Sequence, residues 1–516
     1  MGIEFAGIYG RAKTRVMNIA KYKKIIKSDT WWSEEGPIVP LFSQWMQQFV
    51  EQSKYWHPKL PTIIFCFVKK DYGWEETPES QKLKIWHYVL NQYIKRPSIQ
   101  IRRYREWQKV FSAVIKEGER FLKNRSKLTK YELADSFTKI VELLREHWRY
   151  TWVQECADVF TTYHLPKLIK KEKPEYSMEQ VTDFAIDLVA PTTLSFMEQY
   201  RMDLLKLAIK NFRIVKSKQL TIEVKNKLFN LANKYIWLIS NYKEGRPLTW
   251  KVVWWQIKSD FHKKTLIELK KELNQLLNKP HRIKAKQRFL YRKLDLSSRL
   301  VKSCRLLSWW SRLIDERKHC AQYGNWYVEN YVQEIAKRIK INPWLVKYML
   351  AEEVVETLVK GKQISVIELN KRRNLVVFVT TKEKGKVKKD ILVGRQAQIL
   401  WNQFFKGSLN REIKGQVASA PVDKISGRAQ IVLDVNRDKF TKGNILVTTM
   451  TRPEFVPLMR KAKAIVCDEG GLTCHAAIIS RELGIPCIIG TKVASKVLKN
   501  GVKIRLDLKN GEVKLL

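Results

Sequence analysis

The sequence predicts an α plus α/β protein, in which a large, mostly helical N-terminal region is followed by a smaller α/β domain. Two shifts in composition support this division. All 18 Trp lie at or before Trp401, whereas nine of the 21 Gly fall within residues 415–516. We therefore place a domain boundary in the segment Lys406–Gly415, which contains Gly, Ser and Asn.

The length and composition indicate a folded chain of several domains. At roughly 150 residues per domain, 516 residues correspond to about three domains. Hydrophobic residues make up 45% of the chain, with 18 Trp, 19 Tyr and 20 Phe, which is enough for large cores. This aromatic content argues against disorder, and 21 Gly and 16 Pro exclude a collagen-like or low-complexity chain.

The net charge of +46 suggests an anionic partner, because basic surfaces bind nucleic acids and anionic membranes. Residues 415–516 hold 17 Lys and Arg against 9 Asp and Glu, a net charge of +8, which leaves +38 for residues 1–414. A nucleic-acid-binding surface concentrates its charge in one domain or on one face. The even spread favours a general bias toward basic residues, so nucleic acid is a possible partner but not the favoured one.

Residues 1–20 mix Glu4, Arg11, Lys13 and Arg15 with short apolar pieces, a pattern unlike an export signal. The longest apolar run, near Ile63–Val68, is too short to span a bilayer. We therefore expect a cytoplasmic protein with no membrane partner. The seven Cys are scattered and include no CxxC pair, which predicts neither a disulfide framework nor a zinc site.

Helix starts can be recognised along the N-terminal region. Thr77-Pro78 and Asn342-Pro343 each place an N-cap residue before a Pro at the first helical position. Thr129–Glu132 and Ser177–Gln180 have the capping-box pattern. Long amphipathic runs follow these caps, which predicts a region rich in helices and poor in strands.

Two β elements are expected within this helical region. The apolar run Pro61–Val68 predicts a strand. Leu375–Val379 and Ile391–Val393 flank the charged, Gly-containing segment Lys382–Lys389, which predicts a hairpin over Asn374–Val393.

Three Trp doublets, Trp31-Trp32, Trp254-Trp255 and Trp309-Trp310, have two interpretations. Trp is a large core residue that packs between helices. A pair of Trp can also form a stacking platform for a flat aromatic ligand or for bases. Core packing is the more common of the two, and the sequence leaves both open.

The segment 464–490 contains the strongest signal for chemistry. Ala464–Cys467 predicts a short buried strand, and Gly470-Gly471 predicts a turn in which the backbone takes positive φ or approaches a ligand. Thr473 is expected to cap a helix whose first residue is Cys474. Gly484 is expected to end that helix in a left-handed conformation, before a strand over residues 485–489.

His475 is then the second residue of the predicted helix. A side chain there lies beside unpaired backbone N–H groups and the positive end of the helix dipole, which favour a phosphate group. A neutral imidazole is also a competent nucleophile near pH 7. The Thr473 hydroxyl could contact a phosphoryl oxygen. Arg481 fits either a cation near the helix C-terminus or a phosphate contact.

The whole stretch resembles the swivelling phosphohistidine domain of the phosphoenolpyruvate synthase, pyruvate phosphate dikinase and rifampicin phosphotransferase families. Their signature is Asp-x-Gly-Gly-x-Thr-(Ser/Cys)-His-Ala-Ala-Ile followed by Arg-Glu-x-Gly-Ile-Pro. Every fixed position is matched from Asp468 to Pro486. Gly427–Ala429, Gly443–Val447 and Thr451–Pro453 resemble neighbouring segments of the same domain.

This resemblance implies a swivelling domain of β/β/α type over residues 415–516. It implies that His475 is the phosphoryl carrier and that Thr473 also belongs to the catalytic set. The residues expected at the phosphate are Gly470, Gly471, Cys474 and Arg481, and no metal ligand is expected.

In these families an ATP-grasp domain phosphorylates the histidine, and a further domain accepts the group. We find no P-loop, ATP-grasp region or phosphoenolpyruvate-binding barrel in this sequence. The resemblance therefore implies an ATP-grasp kinase in trans that brings ATP and Mg²⁺, with no cofactor bound directly by this chain. Residues 1–300 are expected to form a Trp-rich helical region that binds an acceptor or docks a partner, and residues 301–410 a helical segment with the β-hairpin.

Two hypotheses of different classes follow. In the first, the chain is the phosphoryl-carrier component of a phosphotransferase that acts with its kinase partner and passes the group to an unknown small molecule. In the second, the histidine domain is a relic or regulatory domain, and the basic helical region binds nucleic acid or another polyanion. The complete Gly-Gly-x-Thr-Cys-His loop favours the first, because a relic has no physical need for that residue set.

Overall fold

The computed structural model describes residues 19–28, 31–43, 63–151, 157, 160–217, 220–383, 386–405, 413–433, 435, 438–451, 455–472 and 474–516. Residues 19–405 form a mostly helical part, which we call the helical body. Residues 413–516 form a smaller α/β part, which we call the C-terminal domain. The predicted fold class is confirmed.

The helices of the body range from single turns to one helix of 42 residues. In chain order they are α1 (Ile19–Lys27), α2 (Pro40–Ser43), α3 (Glu79–Lys95), α4 (Pro97–Asn124), α5 (Lys130–Thr151), the π-helix Phe160–His164, α6 (Leu165–Glu172), α7 (Met178–Val189), α8 (Phe196–Lys210), α9 (Phe212–Lys216), α10 (Ile222–Lys234), α11 (Trp250–Phe261), α12 (Leu266–Leu294), α13 (Ser298–Ile339), α14 (Pro343–Val346), α15 (Ala351–Lys360), α16 (Val366–Asn374) and α17 (Gly394–Phe405). Within the described ranges, no helix is both long and apolar enough to cross a membrane.

The predicted capping residues are confirmed at the starts of α5, α7 and α14. The Thr129 hydroxyl accepts a hydrogen bond from the Glu132 N–H, and the Glu132 carboxylate accepts one from the Thr129 N–H. Ser177 and Gln180 form the same reciprocal box, and Asn342 caps α14. The expected cap at Thr77-Pro78 is wrong, because Thr77 pairs with Trp32 in a β-ladder and Pro78 itself precedes α3.

The long helix α13 runs through the main core of the body. Its Tyr327 and Tyr331 side chains are fully buried. Gly118 of α4 lies so close to the Tyr327 ring that an added Cβ would overlap the ring. Tyr331 stacks on Phe121 of α4, with the ring centroids 3.6 Å apart. A second core forms where α8, α10 and α11 pack together with the start of α12.

One five-stranded antiparallel sheet lies beside these helices, with the strand order β1-β3-β2-β4-β5. Its strands are β1 (Trp31–Pro37), β2 (Ile63–Lys69), β3 (Tyr72–Pro78), β4 (Val376–Glu383) and β5 (Lys386–Val393). Successive side chains of β2 point alternately to its two faces. One face packs into the main core, and the other packs into a third core, which β2 forms with α1 and α17. A fully buried strand of this kind appears in a sequence as a continuous apolar run.

The predicted strand and hairpin are confirmed as β2 and the β4–β5 pair. The strands of the hairpin extend into Lys382–Lys389, which we expected to be a turn, as far as the pair Glu383 and Lys386. β1 and β3 were not expected. The expected boundary between residues 300 and 301 lies inside α13, and strands from both sides of it share the sheet.

The C-terminal domain is built on an eight-stranded sheet with the order β6-β13-β12-β8-β9-β10-β11-β7. Its four central strands are parallel neighbours. The elements are β6 (Ile413–Lys414), β7 (Gln416–Ser419), β8 (Lys424–Ile431), β9 (Ile445–Thr448), α18 (Val456–Met459), β10 (Ala464–Cys467), α19 (His475–Leu483), β11 (Cys487–Ile489), α20 (Ala494–Val497), β12 (Lys503–Asp507) and β13 (Glu512–Leu515). In such sheets, ligands bind at the carboxyl ends of the parallel strands.

Candidate functional site

The segment that follows strand β10 forms the candidate site. β10 is buried along its whole length, and the chain leaves its carboxyl end through a loop that leads into α19. The helix begins at His475, with Cys474 as its N-cap. The expectation that Cys474 is the first helical residue and His475 the second is therefore wrong by one position. Thr473, the expected cap, lies outside the described residues.

The glycine turn has the conformation that the sequence predicts. Gly470 has a φ of +108°, and a Cβ at this position would lie 2.5 Å from the Cys474 Sγ. The carbonyl of Gly471 accepts a hydrogen bond from the Cys474 N–H at 2.9 Å. A larger residue at position 470 would both strain the backbone and displace Cys474.

Asp468 anchors the start of this loop. Its side chain is 2% exposed, and its carboxylate accepts hydrogen bonds from the Thr491 hydroxyl at 2.6 Å and from the Ser495 N–H at 3.1 Å. A buried carboxylate is stable when it is hydrogen-bonded in this way. Asp468 thus explains the first fixed position of the signature as a structural one.

Arg481 holds the other side of the same loop. Its guanidinium donates a hydrogen bond to the Leu472 carbonyl at 2.7 Å. Asp183 of α7 lies within electrostatic range of this guanidinium. The structure therefore places Arg481 against the loop backbone, two turns along the helix from His475.

The His475 ring is held by Thr451, which follows strand β9. The Thr451 Oγ1 and the His475 Nδ1 share a hydrogen bond of 2.8 Å. Since Nδ1 is engaged, Nε2 is the ring nitrogen that remains for chemistry. Thr451 is 6% exposed, so this contact is protected from solvent.

Electrostatics at the site favour a neutral imidazole and an added anion. Burial, together with a smaller effect of the Lys318 charge on α13, lowers the pKa of His475 to about 4. The first N–H groups of α19 have no acceptor within the helix, and they carry the positive end of its dipole. A phosphoryl group on the ring would offer acceptor oxygens to these N–H groups, which have no acceptor within the helix.

The site faces the helical body. The buried N–H of Leu472 donates a hydrogen bond to the Thr162 hydroxyl at 3.0 Å, and the hydroxyls of Tyr72 and Thr449 share another. Ile186 of α7 packs against the core of the C-terminal domain. Three separate parts of the body thus contact the edge of the domain that carries His475.

Of the predicted site residues, the structure brings together Gly470, Gly471, Cys474 and His475 in one loop. No role was predicted for Thr451, Asp468, Lys318 or Thr162. Thr451 and Asp468 belong to the matched family segments, so their positions in the motif could have identified them as site residues. Lys318 and Thr162 lie far from the loop in the sequence, and the packing of the body against the domain brings them near it. Within the described residues, no cluster of His, Cys, Asp or Glu could hold a metal ion.

Comparisons with known proteins agree with this geometry. Residues 440–511 match the family model described as "PEP-utilising enzyme, mobile domain". The chain is 35% identical over 182 residues to a probable phosphoenolpyruvate synthase of Archaeoglobus fulgidus, an alignment that covers 35% of this chain and 22% of that protein. It is 52% identical over 102 residues to the phosphoenolpyruvate synthase of Pyrococcus furiosus, which covers 20% of this chain and 12% of that protein.

The phosphoenolpyruvate synthase of Aeropyrum pernix is 48% identical over 103 residues, with the same 20% and 12% coverage. The chain thus spans about a fifth or less of the curated relatives it matches. Residues 440–511 are therefore similar to the mobile domain of phosphoenolpyruvate-utilising enzymes, and this similarity supports a phosphoryl-carrier role.

The titration of His475 tests its burial. We expect its pKa, measured by NMR of the ring protons, to be about 4, and Lys318→Ala to raise it because a neighbouring cation is removed. Since an unfolded imidazole titrates near 6.5, the unfolded chain binds more protons between these values. The contribution of His475 to stability is therefore complete above pH 6.5 and is lost as the pH falls to about 4. A wild-type pKa of about 6.5 would contradict the buried position.

Two adjacent threonines test the contact between the body and the domain. Thr162→Val should increase the hydrogen-exchange rate of the Leu472 amide, because this buried N–H loses its acceptor. The same loss should weaken the free energy of docking between the body and the domain by about 1–3 kcal/mol. Thr161→Val is the matched control, since the buried Thr161 hydroxyl has no hydrogen-bond partner among the described atoms. Equal protection of Leu472 in the two variants would show that the Thr162 contact does not hold the domain.

Proposed function

We propose that His475 of this mobile domain carries a phosphoryl group between a kinase partner and an acceptor. The observation that supports this most is the set of contacts around one imidazole. Thr451 engages Nδ1, the first turn of α19 presents its N–H groups, and Lys318 adds a positive charge. These features stabilise a phosphoryl group better than they stabilise a free, charged histidine.

The charging step uses the lone pair of Nε2. In the required tautomer, Nδ1 carries the proton and donates a hydrogen bond to the Thr451 Oγ1. Nε2 then attacks the phosphorus of a bound nucleotide, an N–P bond forms, and the bond to the nucleotide leaving oxygen breaks. The low pKa keeps the ring neutral, so no proton has to be removed from Nε2 at pH 7.

The second step returns the ring to its starting state. An oxygen of the acceptor attacks the same phosphorus, and the N–P bond breaks with its electron pair returning to Nε2. Catalysis of such transfers depends on positioning and on stabilising the charge of the phosphoryl oxygens. Lys318 and the helix N-terminus supply that charge from two different parts of the chain.

We also propose that an ATP-grasp kinase in trans supplies the phosphoryl group and that the acceptor is a small molecule bound by the helical body. Two observations support an acceptor on the body: Leu472 in the His475 loop is hydrogen-bonded to Thr162, and Lys318 of the body lies within electrostatic range of His475. Charging by a separate kinase requires the domain to leave this position. ATP and Mg²⁺ then belong to the kinase, and His475 needs neither when it delivers the group.

The relic hypothesis from the sequence has less support. A domain retained only as a regulatory fold does not need a buried carboxylate at Asp468 to fix the loop, or a hydroxyl at Thr451 on the ring. Both residues position His475, which is a requirement of chemistry at that side chain.

Labelling tests the carrier role directly. The full chain is incubated with labelled ATP, Mg²⁺ and an ATP-grasp kinase that has no carrier histidine of its own. We expect an acid-labile phosphate on His475 that is lost in His475→Ala. His281→Ala is the control, because His281 is exposed on α12, outside the site, and should leave labelling unchanged. Absence of label in the wild type, or label that persists in His475→Ala, would contradict the carrier role.

A further inference from the structure

A basic cleft lies between helices α12 and α13 of the helical body, outside the site described above. It has a volume of about 360 Å³. This is within the range of pockets that hold small molecules. Both helices line it with residues at the spacing i, i+3, i+4 and i+7, which places each set on one helical face. These residues are Lys284, Gln287, Arg288 and Tyr291 on α12 and Arg305, Ser308, Trp309 and Arg312 on α13.

The cleft has an excess of positive charge. Of its four cations, Arg312 is paired with Glu316 at 2.7 Å. No carboxylate of the described residues lies within ion-pair distance of Lys284, Arg288 or Arg305, and no acidic residue lines the cleft. Three cations that face one cavity without counter-charges favour an anionic ligand.

Two half-buried aromatic rings form the apolar part of the same cleft. The Trp309 ring packs edge-on against Tyr104, with the centroids 5.3 Å apart, and the Tyr104 hydroxyl donates a hydrogen bond to Glu316 at 2.8 Å. The Arg305 guanidinium lies over the Tyr291 ring, 5.6 Å from its centroid. Trp309 is thus held by Tyr104, and it lines the cleft beside the cations. Trp310, the other member of the doublet, is a core residue that is 1% exposed.

The cleft is connected to the face on which the C-terminal domain docks. The Gln287 amide donates hydrogen bonds to the carbonyls of Leu188 and Ala190, and the Ser308 hydroxyl donates one to Ala190 at 2.9 Å. Both side chains therefore hold the end of α7, whose Ile186 packs against the domain. On α13, Lys318 lies six residues beyond Arg312, which is about 9 Å along the helix axis.

We propose that this cleft binds a small anionic ligand with a planar ring, of the chemical class of a nucleoside monophosphate. The phosphate lies between Arg288 and Arg305, and the ring stacks on Trp309. If His475 is the carrier proposed above, this ligand is the acceptor or the phosphorylated product. That last assignment rests on the proposed function, whereas the binding itself does not.

A long polyanion fits these features less well than a small molecule. The cations line a single cleft between two helices, and the charge of the chain as a whole is spread evenly between residues 1–414 and 415–516. Nucleic-acid surfaces instead extend their charge as a stripe or patch.

The test is isothermal titration of the full chain with AMP and with inorganic phosphate. We expect AMP to bind, and Arg288→Ala and Arg305→Ala each to weaken it about tenfold or more, because each removes a charge-assisted contact. Trp309→Leu should weaken AMP but not phosphate, and Trp309→Phe should restore most of the loss. Arg282→Ala is the matched control, since Arg282 is exposed on α12 but does not line the cleft.

The outcomes separate the two proposals. His475→Ala should bind AMP like the wild type, so the cleft can be confirmed even when labelling of His475 fails. The cleft proposal is wrong if AMP does not bind, or if Arg305→Ala binds it as tightly as Arg282→Ala does. It is also wrong if an oligonucleotide of about 20 residues binds through these arginines while AMP does not.

Discussion

The hydrogen bond between the Thr451 hydroxyl and the His475 Nδ1 determines what the rest of the site can do. It fixes the ring and leaves Nε2 as the nitrogen that can react. The other features of the loop serve this arrangement. Asp468 and Arg481 hold the two sides of the loop, and Gly470 permits the turn that brings Cys474 and His475 to the start of α19.

The helical body supplies the second half of the site through one long helix. Tyr327 and Tyr331 fix α13 in the main core, while Lys318 of the same helix reaches the environment of His475. Further toward its N-terminus, Arg305 and Trp309 line the basic cleft. Because a helix is rigid over this length, the cleft and the docked domain keep a fixed relation as long as the Thr162 contact persists.

Local motifs predicted the C-terminal domain well. Family segments identified β9, β10 and α19. The first helical residue was misplaced by one, because Cys474 was interpreted as helical rather than as the cap, and β11 begins two residues later than expected. The body was predicted less completely. β1 and β3 carry polar residues such as Glu34 and Glu76, so neither strand has the apolar run that identified β2. Contacts such as Thr162 with Leu472 join residues 310 positions apart, and no local pattern encodes them.

The most direct test of this carrier mechanism is to determine which nitrogen of His475 carries the phosphate. The chain is labelled with ¹⁵N-histidine and phosphorylated, and the ³¹P–¹⁵N coupling identifies the bonded nitrogen. Because Thr451 occupies Nδ1, we expect a phosphate on Nε2 alone. A phosphate on Nδ1 would contradict this mechanism, since the hydrogen bond between Thr451 and Nδ1 that holds the ring would then have to break.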